Sequence, residues 1–269
     1  IRTIHQVIKI ALFSIVIITS LSILLGKSPA LVLSSFGAFT AILLLVFKDS
    51  ILGFMASIQV SLLGVVKEGD WIEMPAYNAD GNILDINIST IRVKNWDKTI
   101  TTIPTYALVS QPVKNWRGME ESNCRRIKRT IMINIKTIQL CDNELLQQLK
   151  RVNYLTSYIT EKESEIESHN SLITNREDTV NSRQLTNIGL FREYLYEYLK
   201  NHPNIQSSAT ILVRQKQSSE YGVPIEIYCF TTTTDWIEYE DIQSDIFDHL
   251  FSIISNFKLE VFQVPIAKL

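Results

Sequence analysis

Side chains capable of acid–base, nucleophilic or metal chemistry are few and scattered in this sequence of 269 residues. The four histidines are His5, His169, His202 and His249. Asp245 and His249 are four residues apart, so on a helix they would form either a metal-binding pair or a surface ion pair, and we favour the ion pair. The sequence contains no GxxxxGK[ST], GxGxxG, GxSxG or HExxH motif. We therefore predict no catalytic residue, no metal site and no cofactor.

The cysteines indicate the compartment rather than a reaction. There are three, Cys124, Cys141 and Cys229. Because their number is odd and their spacing is wide, they predict neither a disulfide framework nor a metal-binding knuckle. Such usage is typical of a protein whose polar part lies in a reducing cytosol.

Two features are compatible with nucleic-acid binding, and both have a simpler explanation. Trp71, Trp96 and Trp116 could stack on bases, but in a small β domain tryptophans more often belong to the core or to a subunit interface. The basic cluster CRRIKR at 124–129 could contact lipid headgroups or a nucleic acid. It also begins a segment with isoleucine at alternate positions, which favours a strand whose charges face solvent. We predict no nucleic-acid partner.

Charge is segregated along the chain. Of the 26 basic and 28 acidic residues, only four basic residues and one acid lie within residues 1–66, which leaves 22 and 27 for the remainder. Wholly soluble proteins do not segregate their charged residues in this way, so residues 1–66 are predicted to be a membrane region. The remainder is acidic overall, which disfavours a nucleic-acid-binding protein.

Two charge-free runs, residues 10–26 and 28–47, predict transmembrane helices over 6–26 and 28–48. Twenty helical residues rise about 30 Å, the thickness of the hydrocarbon core of a bilayer. A signal peptide is disfavoured because a second, longer run follows without a cleavage site. Ser28 is predicted to cap the second helix and Pro29 to occupy its first turn. Basic residues flank the outer ends of this hairpin, which predicts that its ends and everything after it are cytoplasmic.

A third charge-free run predicts a helix over residues 50–66. A single straight helix over 29–66 would be about 57 Å long, more than a bilayer requires. The polar residues Lys48, Asp49 and Ser50 lie near its middle. We therefore expect a bend there, with the second half lying near the cytoplasmic face of the membrane.

Small residues recur at helical spacing in both halves and have two interpretations. They are Ser34, Gly37 and Ala38, then Gly53, Ser57, Ser61 and Gly64. The first interpretation is packing within a monomer or small bundle, and periodicity alone favours it. The second is a pore formed by several subunits and narrowed by Ala41 and Leu45, an apolar constriction that closes by dewetting. A proton-coupled transporter is disfavoured because the charge-free runs 10–26 and 28–47 contain no ionisable residue.

The rest of the chain predicts two cytoplasmic domains. Residues 67–116 show four or five short strands with turns at Asp80-Gly81 and at 95–98, typical of a small SH3- or Sm-like barrel. Residues 117–269 predict a ferredoxin-like α+β domain. Its predicted strands are 125–135, 209–215, 224–232 and 258–263, and its predicted helices are 143–152, 185–200 and 239–256. The polar stretch 155–184 is predicted to be an insertion, part helix and part loop.

Several segments together resemble the small-conductance mechanosensitive channel (MscS-like) superfamily. An apolar helix interrupted by a polar pair is followed by VVKEGDWIEM and then by GNILDINISTIRVKNWDKTITTIPTYALV. Three further segments are similar to its YbdG-type, miniconductance branch: VKNWRGMEES, NIGLFREYLYEYLKNHPNI and IEIYCFTTTTDWIEYEDIQSDIFDHL. The similarity covers essentially the whole chain and is much more specific than one short motif.

The resemblance implies a homo-heptamer in the bacterial inner membrane. Each subunit would contribute one pore helix, and the β and α/β domains would enclose a cytoplasmic vestibule with lateral portals. Membrane tension would open the pore, so that ions and small solutes leave during hypo-osmotic shock; membrane lipids and these solutes are the implied partners. The branch usually has further transmembrane helices, which would precede Ile1, so we expect the chain to be part of a longer protein.

Aligned on the pore helix, the constriction of the family falls at Ala41 and Leu45, and its bend at 48–50. The prototype has a glycine at the bend where this chain has Asp49. Because Ala41 replaces a bulky constriction residue, Leu44 and Phe47 are alternative positions for the gate. The alternative function is a membrane-anchored oligomeric structural or osmosensory protein with little or no conduction. An anchored RNA-binding Sm-like protein is disfavoured by the acidic charge.

Overall fold

The computed structural model describes residues 2–175 and 177–264. The chain divides into two compact units, the first ending at Arg117 and the second beginning at Gly118. The division lies next to the predicted boundary between residues 116 and 117. Ile1 and residues 265–269, which the sequence places in the membrane region and in the α+β domain, lie outside the described residues.

The first unit begins with two apolar helices, α1 (Arg2–Leu25) and α2 (Pro29–Leu63). His5–Leu25 and Pro29–Leu63 are both long and apolar enough to cross a membrane. Ser28 caps α2, since its hydroxyl accepts a hydrogen bond from the Leu31 N–H at 3.4 Å, and Pro29 occupies the first turn. The predicted cap is confirmed. Only residues 26–28 separate the two helices.

The predicted division of the second apolar segment into helices 28–48 and 50–66 is wrong. The α-helix continues through Lys48, Asp49 and Ser50, whose side chains are exposed. None of the three residues removes a backbone N–H, and the charged side chains extend outward, so the helical hydrogen bonds need not break there. The helix ends instead at Gly64, whose φ of 59° is the left-handed conformation that glycine adopts readily.

A five-stranded antiparallel sheet follows, in the order β4-β3-β2-β1-β5. Its strands are β1 (Trp71–Met74), β2 (Ala79–Ile86), β3 (Thr90–Asn95), β4 (Ile100–Pro104) and β5 (Lys114–Asn115). A short helix, α3 (Ala107–Ser110), precedes the last strand. Alternate residues such as Ile72, Ile83, Ile91 and Ile103 are buried on one face. The predicted small β domain is confirmed, as is its turn at residues 95–98.

The predicted turn at Asp80-Gly81 is wrong, because both residues lie within β2 and pair with β1. The chain turns between β1 and β2 instead, through a 3₁₀ turn at Pro75–Tyr77 and through Asn78, whose φ is 50°. Gly81 serves a different purpose. A Cβ atom there would lie 2.0 Å from the Lys94 carbonyl oxygen, so glycine permits the close approach of β3.

The second unit is a three-stranded antiparallel sheet, β6-β8-β7, with helices on one face. Helix α4 (Arg117–Glu121) begins at the last residue of the first unit and continues into the second. The elements that follow are, in chain order, β6 (Arg126–Ile133), α5 (Asn143–Leu149), α6 (Thr156–Asn170), α7 (Asn187–Lys200), β7 (Leu212–Gln215), β8 (Val223–Phe230) and α8 (Trp236–Ile253). Ile242, Ile246 and Leu250 of α8 are buried, as the apolar pattern predicts. Helix α6 lies in the predicted insertion, and Ile159 anchors it in the core.

The predicted strand 258–263 is reduced to one bridge, Val261 with Ile133. A 3₁₀ turn, Ile254–Phe257, extends α8, and Lys258 follows in the left-handed conformation with φ 53°. The chain after this turn therefore pairs with β6 over a short stretch only, in which the Phe262 N–H donates to Met132 O at 2.7 Å. Local turn geometry outweighs the alternating pattern at this edge.

We expect Gly81→Ala to destabilise the β domain by roughly 3 kcal/mol, because the added methyl group must displace the β3 backbone. Thermal unfolding of the full-length protein in detergent, followed by tryptophan fluorescence, measures this. Gly118→Ala is the matched control, since a Cβ at Gly118 would meet nothing within 4 Å. Equal melting of the two variants would contradict the explanation.

Candidate functional site: the apolar helix and its junction with the β domain

The residues predicted to form a constriction are all exposed on α2 of the single chain. Leu45 is 74% exposed, and Ala41, one turn earlier, lies on the same side of the helix. The alternative gate residues Leu44 and Phe47 are exposed as well. Apolar side chains in such numbers require lipid or further protein around them. The described part of the chain leaves these side chains of α2 uncovered.

The small residues in the first half of α2 are likewise not covered by other described residues of this chain. Ser34, Gly37 and Ala38 are exposed, and a Cβ atom at Gly37 would meet nothing within 4 Å. The Ser34 hydroxyl donates to the Ala30 carbonyl oxygen at 2.8 Å, so it needs no external partner in an apolar environment. Packing of this face is not observed among the described residues, which leaves lipid, another copy or a further segment of the full-length protein to cover it.

The second half of α2 packs on the β domain. Gly53, Ala56 and Val60 are buried. A Cβ at Gly53 would lie 3.4 Å from the Ile88 carbonyl oxygen, in the turn between β2 and β3, so this glycine lets the helix approach the sheet closely. Of the other small residues in this half, Ser57 is half-buried and Ser61 is exposed. Gly64 ends the helix instead of packing within it.

Ser57, Ser61 and Gly64 line an open cleft of about 550 Å³ beside the helix end. Lys67 and Glu68 form its polar side. The predicted row of small residues thus has two surroundings, the sheet at Gly53 and this cleft further along the helix.

Asp70 joins the end of α2 to the β domain. The residue is 8% exposed, and its carboxylate accepts hydrogen bonds from Lys67 N–H at 2.8 Å, Asn115 Nδ2 at 2.9 Å and Arg117 Nε at 2.9 Å. A second Arg117 nitrogen completes a two-pronged ion pair. Charged hydrogen bonds of this kind are the strong ones in proteins.

The partners of Asp70 also bind the helix terminus directly. Arg117 donates to the Gly64 carbonyl oxygen at 3.3 Å, and Asn115 donates to the Val65 carbonyl oxygen at 3.1 Å. These carbonyl groups have no partner inside the helix. One carboxylate, directly before β1, therefore holds the helix end, β5 and the start of α4 together.

Burial alone would raise the pKa of Asp70. The hydrogen bonds from Arg117, Lys67 and Asn115 and the positive charge of Arg117 outweigh it, so the pKa lies below the ordinary value of 3.8. Asp70 is therefore ionised at neutral pH, and its pairing with Arg117 stabilises the junction.

The three tryptophans of the β domain stack on one another beside this junction. Trp71 and Trp116 are parallel at 4.6 Å between ring centroids, and Trp96 meets Trp71 edge-on at 5.1 Å. Trp71 Nε1 and Trp96 Nε1 both donate to Asp80 Oδ1, at 2.8 and 3.0 Å. The indoles thus contact one another at a partly exposed surface, where Trp96 is 41% exposed and the other two are half-buried.

The structure gives His249 contacts with two tyrosines. His249 Nε2 lies 2.8 Å from the Tyr194 hydroxyl, and its ring stacks on Tyr198 at 4.5 Å. Within residues 2–175 and 177–264, no group of three or more His, Cys, Asp or Glu side chains is arranged to hold a metal ion. Burial raises the pKa of Cys141 to about 11 and that of Cys229 to about 12, so both remain thiols at neutral pH.

The sequence predicted none of the junction residues as functional. Asp70 lies directly before β1, Asn115 is the last residue of β5 and Arg117 begins α4, and Asp70 and Arg117 are 47 positions apart. The only signal in the sequence is that Asp70 directly precedes the first strand and Arg117 closely follows the last strand of the domain that is attached to the helix.

Two family models match the chain. One, described as "Mechanosensitive ion channel, beta-domain", matches residues 49–118. The other, described as "Mechanosensitive ion channel MscS, C-terminal", matches residues 179–261. The first range includes the second half of α2 and the whole Asp70 junction.

Curated relatives align over most of the chain. An uncharacterized MscS family protein of Helicobacter pylori is 23% identical over 268 residues, which cover 96% of this chain and 38% of the relative. The low conductance mechanosensitive channel YnaI of Escherichia coli is 24% identical, covering 78% and 46%. The small-conductance mechanosensitive channel MscMJ of Methanocaldococcus jannaschii is 27% identical, covering 60% and 42%. The chain thus spans less than half the length of these relatives.

Solved structures show the same fold. MSL1 of Arabidopsis thaliana matches with a TM-score of 0.59 and 14% identity, covering 97% of this chain and 76% of that chain. The closed-state MscS of Helicobacter pylori matches with a TM-score of 0.56 and 15% identity, covering 99% and 83%. The predicted combination of apolar helices, β domain and α+β domain is confirmed.

We expect Asp70→Asn to destabilise the first unit by roughly 2–4 kcal/mol, because a buried ion pair is broken and Arg117 loses its partner. Glu73→Gln is the control, since its ion pair with Lys114 is much more exposed and should change stability by about 1 kcal/mol or less. Thermal unfolding of full-length protein in detergent at pH 7 compares them. Equal effects would contradict a special role for Asp70.

The same comparison has a predicted pH dependence. Because the pKa of Asp70 is lowered on folding, its contribution is fully present above its unfolded pKa and is lost as the pH falls through the folded pKa. The stability difference between wild type and Asp70→Asn should be constant from about pH 7 to 5 and shrink below about pH 4. A difference that grows on acidification would contradict the assignment.

Proposed function

The chain belongs to the MscS-like superfamily of mechanosensitive channels, and from this membership we propose that it forms the pore-lining and cytoplasmic part of a tension-gated ion channel. The channel would release ions and small solutes during hypo-osmotic shock. The observation that carries the proposal is α2: its first half exposes apolar residues around its circumference, and its second half is attached to the β domain through Gly53 and the Asp70 junction.

We place the pore along the first half of α2. Residues 29–48 rise about 30 Å, which matches the hydrocarbon thickness of a bilayer. Lys48 and Asp49 then mark the cytoplasmic surface of the membrane, and the remaining turns of the helix extend beyond it. A bend at 48–50 within the continuous helix remains part of this proposal. It would let the second half follow the membrane surface.

Copies of α2 would pack through Ser34, Gly37 and Ala38, because these residues allow close approach of helix backbones. Leu45 and Ala41 would then face the lumen one turn apart. A ring of such side chains is narrow and apolar, so water leaves it and ions cannot pass. Leu44 or Phe47 would take this place if the helix were rotated.

Tension would open the pore through area. An open state occupying a larger area in the membrane plane is favoured by tension in proportion to that difference, which is a differential interaction with two states. The chain would act as a homo-oligomer, and the resemblance to the superfamily implies a heptamer. The oligomer would lie in the bacterial inner membrane, with the C-terminal domains of its subunits in the cytoplasm. Lipids would surround the helices.

The test is patch-clamp recording of the full-length protein in liposomes during a pressure ramp. Leu45→Ser should lower the tension threshold or produce leak, because a hydroxyl group wets the constriction. Leu43→Ser is the matched control: it is two residues away, about 160° around the helix, and also apolar and exposed.

Stepwise currents in wild type with a shift only in Leu45→Ser would support both channel and gate. Currents that respond equally to both substitutions would keep the channel and move the gate to Leu44 or Phe47. Silence of an intact oligomer at tensions up to membrane rupture would contradict the channel and favour the structural or osmosensory alternative.

A further inference from the structure

One face of the sheet in the second unit is basic and aromatic. Ile127 and Ile131 of β6 and Ile225 and Ile227 of β8 point to the helices and are buried. The intervening residues form the opposite face, here named the open sheet face. They are Arg126, Lys128 and Thr130 of β6, Glu226, Tyr228 and Phe230 of β8, and Leu212 and Arg214 of β7 with the following Lys216.

The open sheet face carries a net positive charge, and contacts within the face position several of its basic side chains. Glu226 is 1% exposed and accepts hydrogen bonds from Arg214 at 2.7 Å and Lys216 at 3.1 Å. The Arg126 guanidinium stands 5.7 Å from the centre of the Tyr228 ring. Lys128 is exposed and forms no ion pair among the described residues. Four cations thus face one carboxylate across a surface that also exposes aromatic rings.

Helix α8 has the opposite character on its outer side. Residues three or four positions apart form one exposed row, here named the outer row: Ile237, Asp241, Ser244, Asp248 and Phe251. Ile237 is 75% exposed and Phe251 is 45% exposed. Asp241 and Asp248 are exposed, and the described part of the chain offers neither an ion-pair partner. The row combines negative charge with apolar ends.

We propose that the open sheet face of one copy binds the outer row of α8 of a second copy. The inference rests on the proposed homo-oligomer and specifies which surfaces of the second unit meet. Two different, complementary patches on one chain are what a head-to-tail interface needs, and repetition of such an interface closes into a ring when the rotation between neighbouring copies divides a full turn. Aromatic residues and arginine are common at such interfaces.

Charge disfavours the symmetric arrangements. Pairing two open sheet faces would bring cations together, and pairing two outer rows would bring carboxylates together, and like charges across an interface disfavour association. Only the head-to-tail arrangement places Lys128, Arg126, Arg214 and Lys216 against Asp241 and Asp248. It also brings Ile237 and Phe251 to the aromatic side chains of the sheet.

Cross-linking tests the arrangement in the full-length protein. Cys124 is the half-exposed native thiol and is first replaced by Cys124→Ser, while Cys141 and Cys229 are buried. Two differently tagged chains, one with Lys128→Cys and one with Asp241→Cys, are co-expressed and treated with a short bismaleimide in membranes. We expect a cross-linked dimer that contains both tags. Glu161→Cys, at an exposed acid on α6, replaces Asp241→Cys in the control and should give none.

The outcomes separate this inference from the proposed function. An oligomer that native mass spectrometry shows intact, but that yields no dimer of Lys128→Cys with Asp241→Cys, would overturn the interface and leave the oligomer standing. A monomer would overturn both. Cross-links of either variant with itself, or of Lys128→Cys with a molecule other than a second copy, would also overturn the interface.

Charge reversal gives an independent measurement. Lys128→Glu and Asp241→Lys should each lower the fraction of protein that remains oligomeric on dilution, by about tenfold, because each places like charges together. The double variant restores opposite charges and should recover most of this loss. Failure of the double variant to recover, with each single variant folded as judged by tryptophan fluorescence, would contradict the pairing.

Discussion

The structure of the first unit depends on one buried carboxylate at the end of a long apolar helix. A charge removed from water is costly unless it is paired and fully hydrogen-bonded, so the groups around Asp70 cannot separate independently. Those groups belong to the helix terminus, the loop before the first strand, β5 and the start of α4. Displacement of α2 must therefore move the β domain with it. In the proposed channel, this is how a change in the membrane would reach the cytoplasmic part.

Both units are incomplete as single chains, in different ways. The first exposes apolar side chains along both helices, so lipid or further helices must cover them. The second exposes a basic face and an acidic row, which one copy does not bring together. Apolar faces allow several modes of association, whereas charges restrict the register. A ring of subunits would gain membrane packing from the first unit and orientation from the second.

The sequence predicts correctly those structural features that depend only on neighbouring residues. Ser28 and Pro29 cap a helix because a hydroxyl and a fixed φ act over three residues. The wrong predictions share the opposite property. Asp80-Gly81 has turn chemistry but lies inside a strand, because the approach of Lys94 on another strand decides the conformation. At Lys48–Ser50 the polar residues predict a helix boundary, but exposed charged side chains leave the backbone hydrogen bonds of the helix unbroken.

The sequence by itself determined that two apolar helices precede an acidic, mixed β and α+β region, because span length, charge and periodicity are properties of consecutive residues. It also carried the family resemblance. Only the tertiary structure decided what Asp70, Gly53 and Gly81 do, which residues form the open sheet face, and that α2 is continuous. Each of these depends on a contact between residues brought together by the return of the chain, as with Asp70 and Arg117, 47 positions apart. Such contacts leave no periodic trace in one sequence.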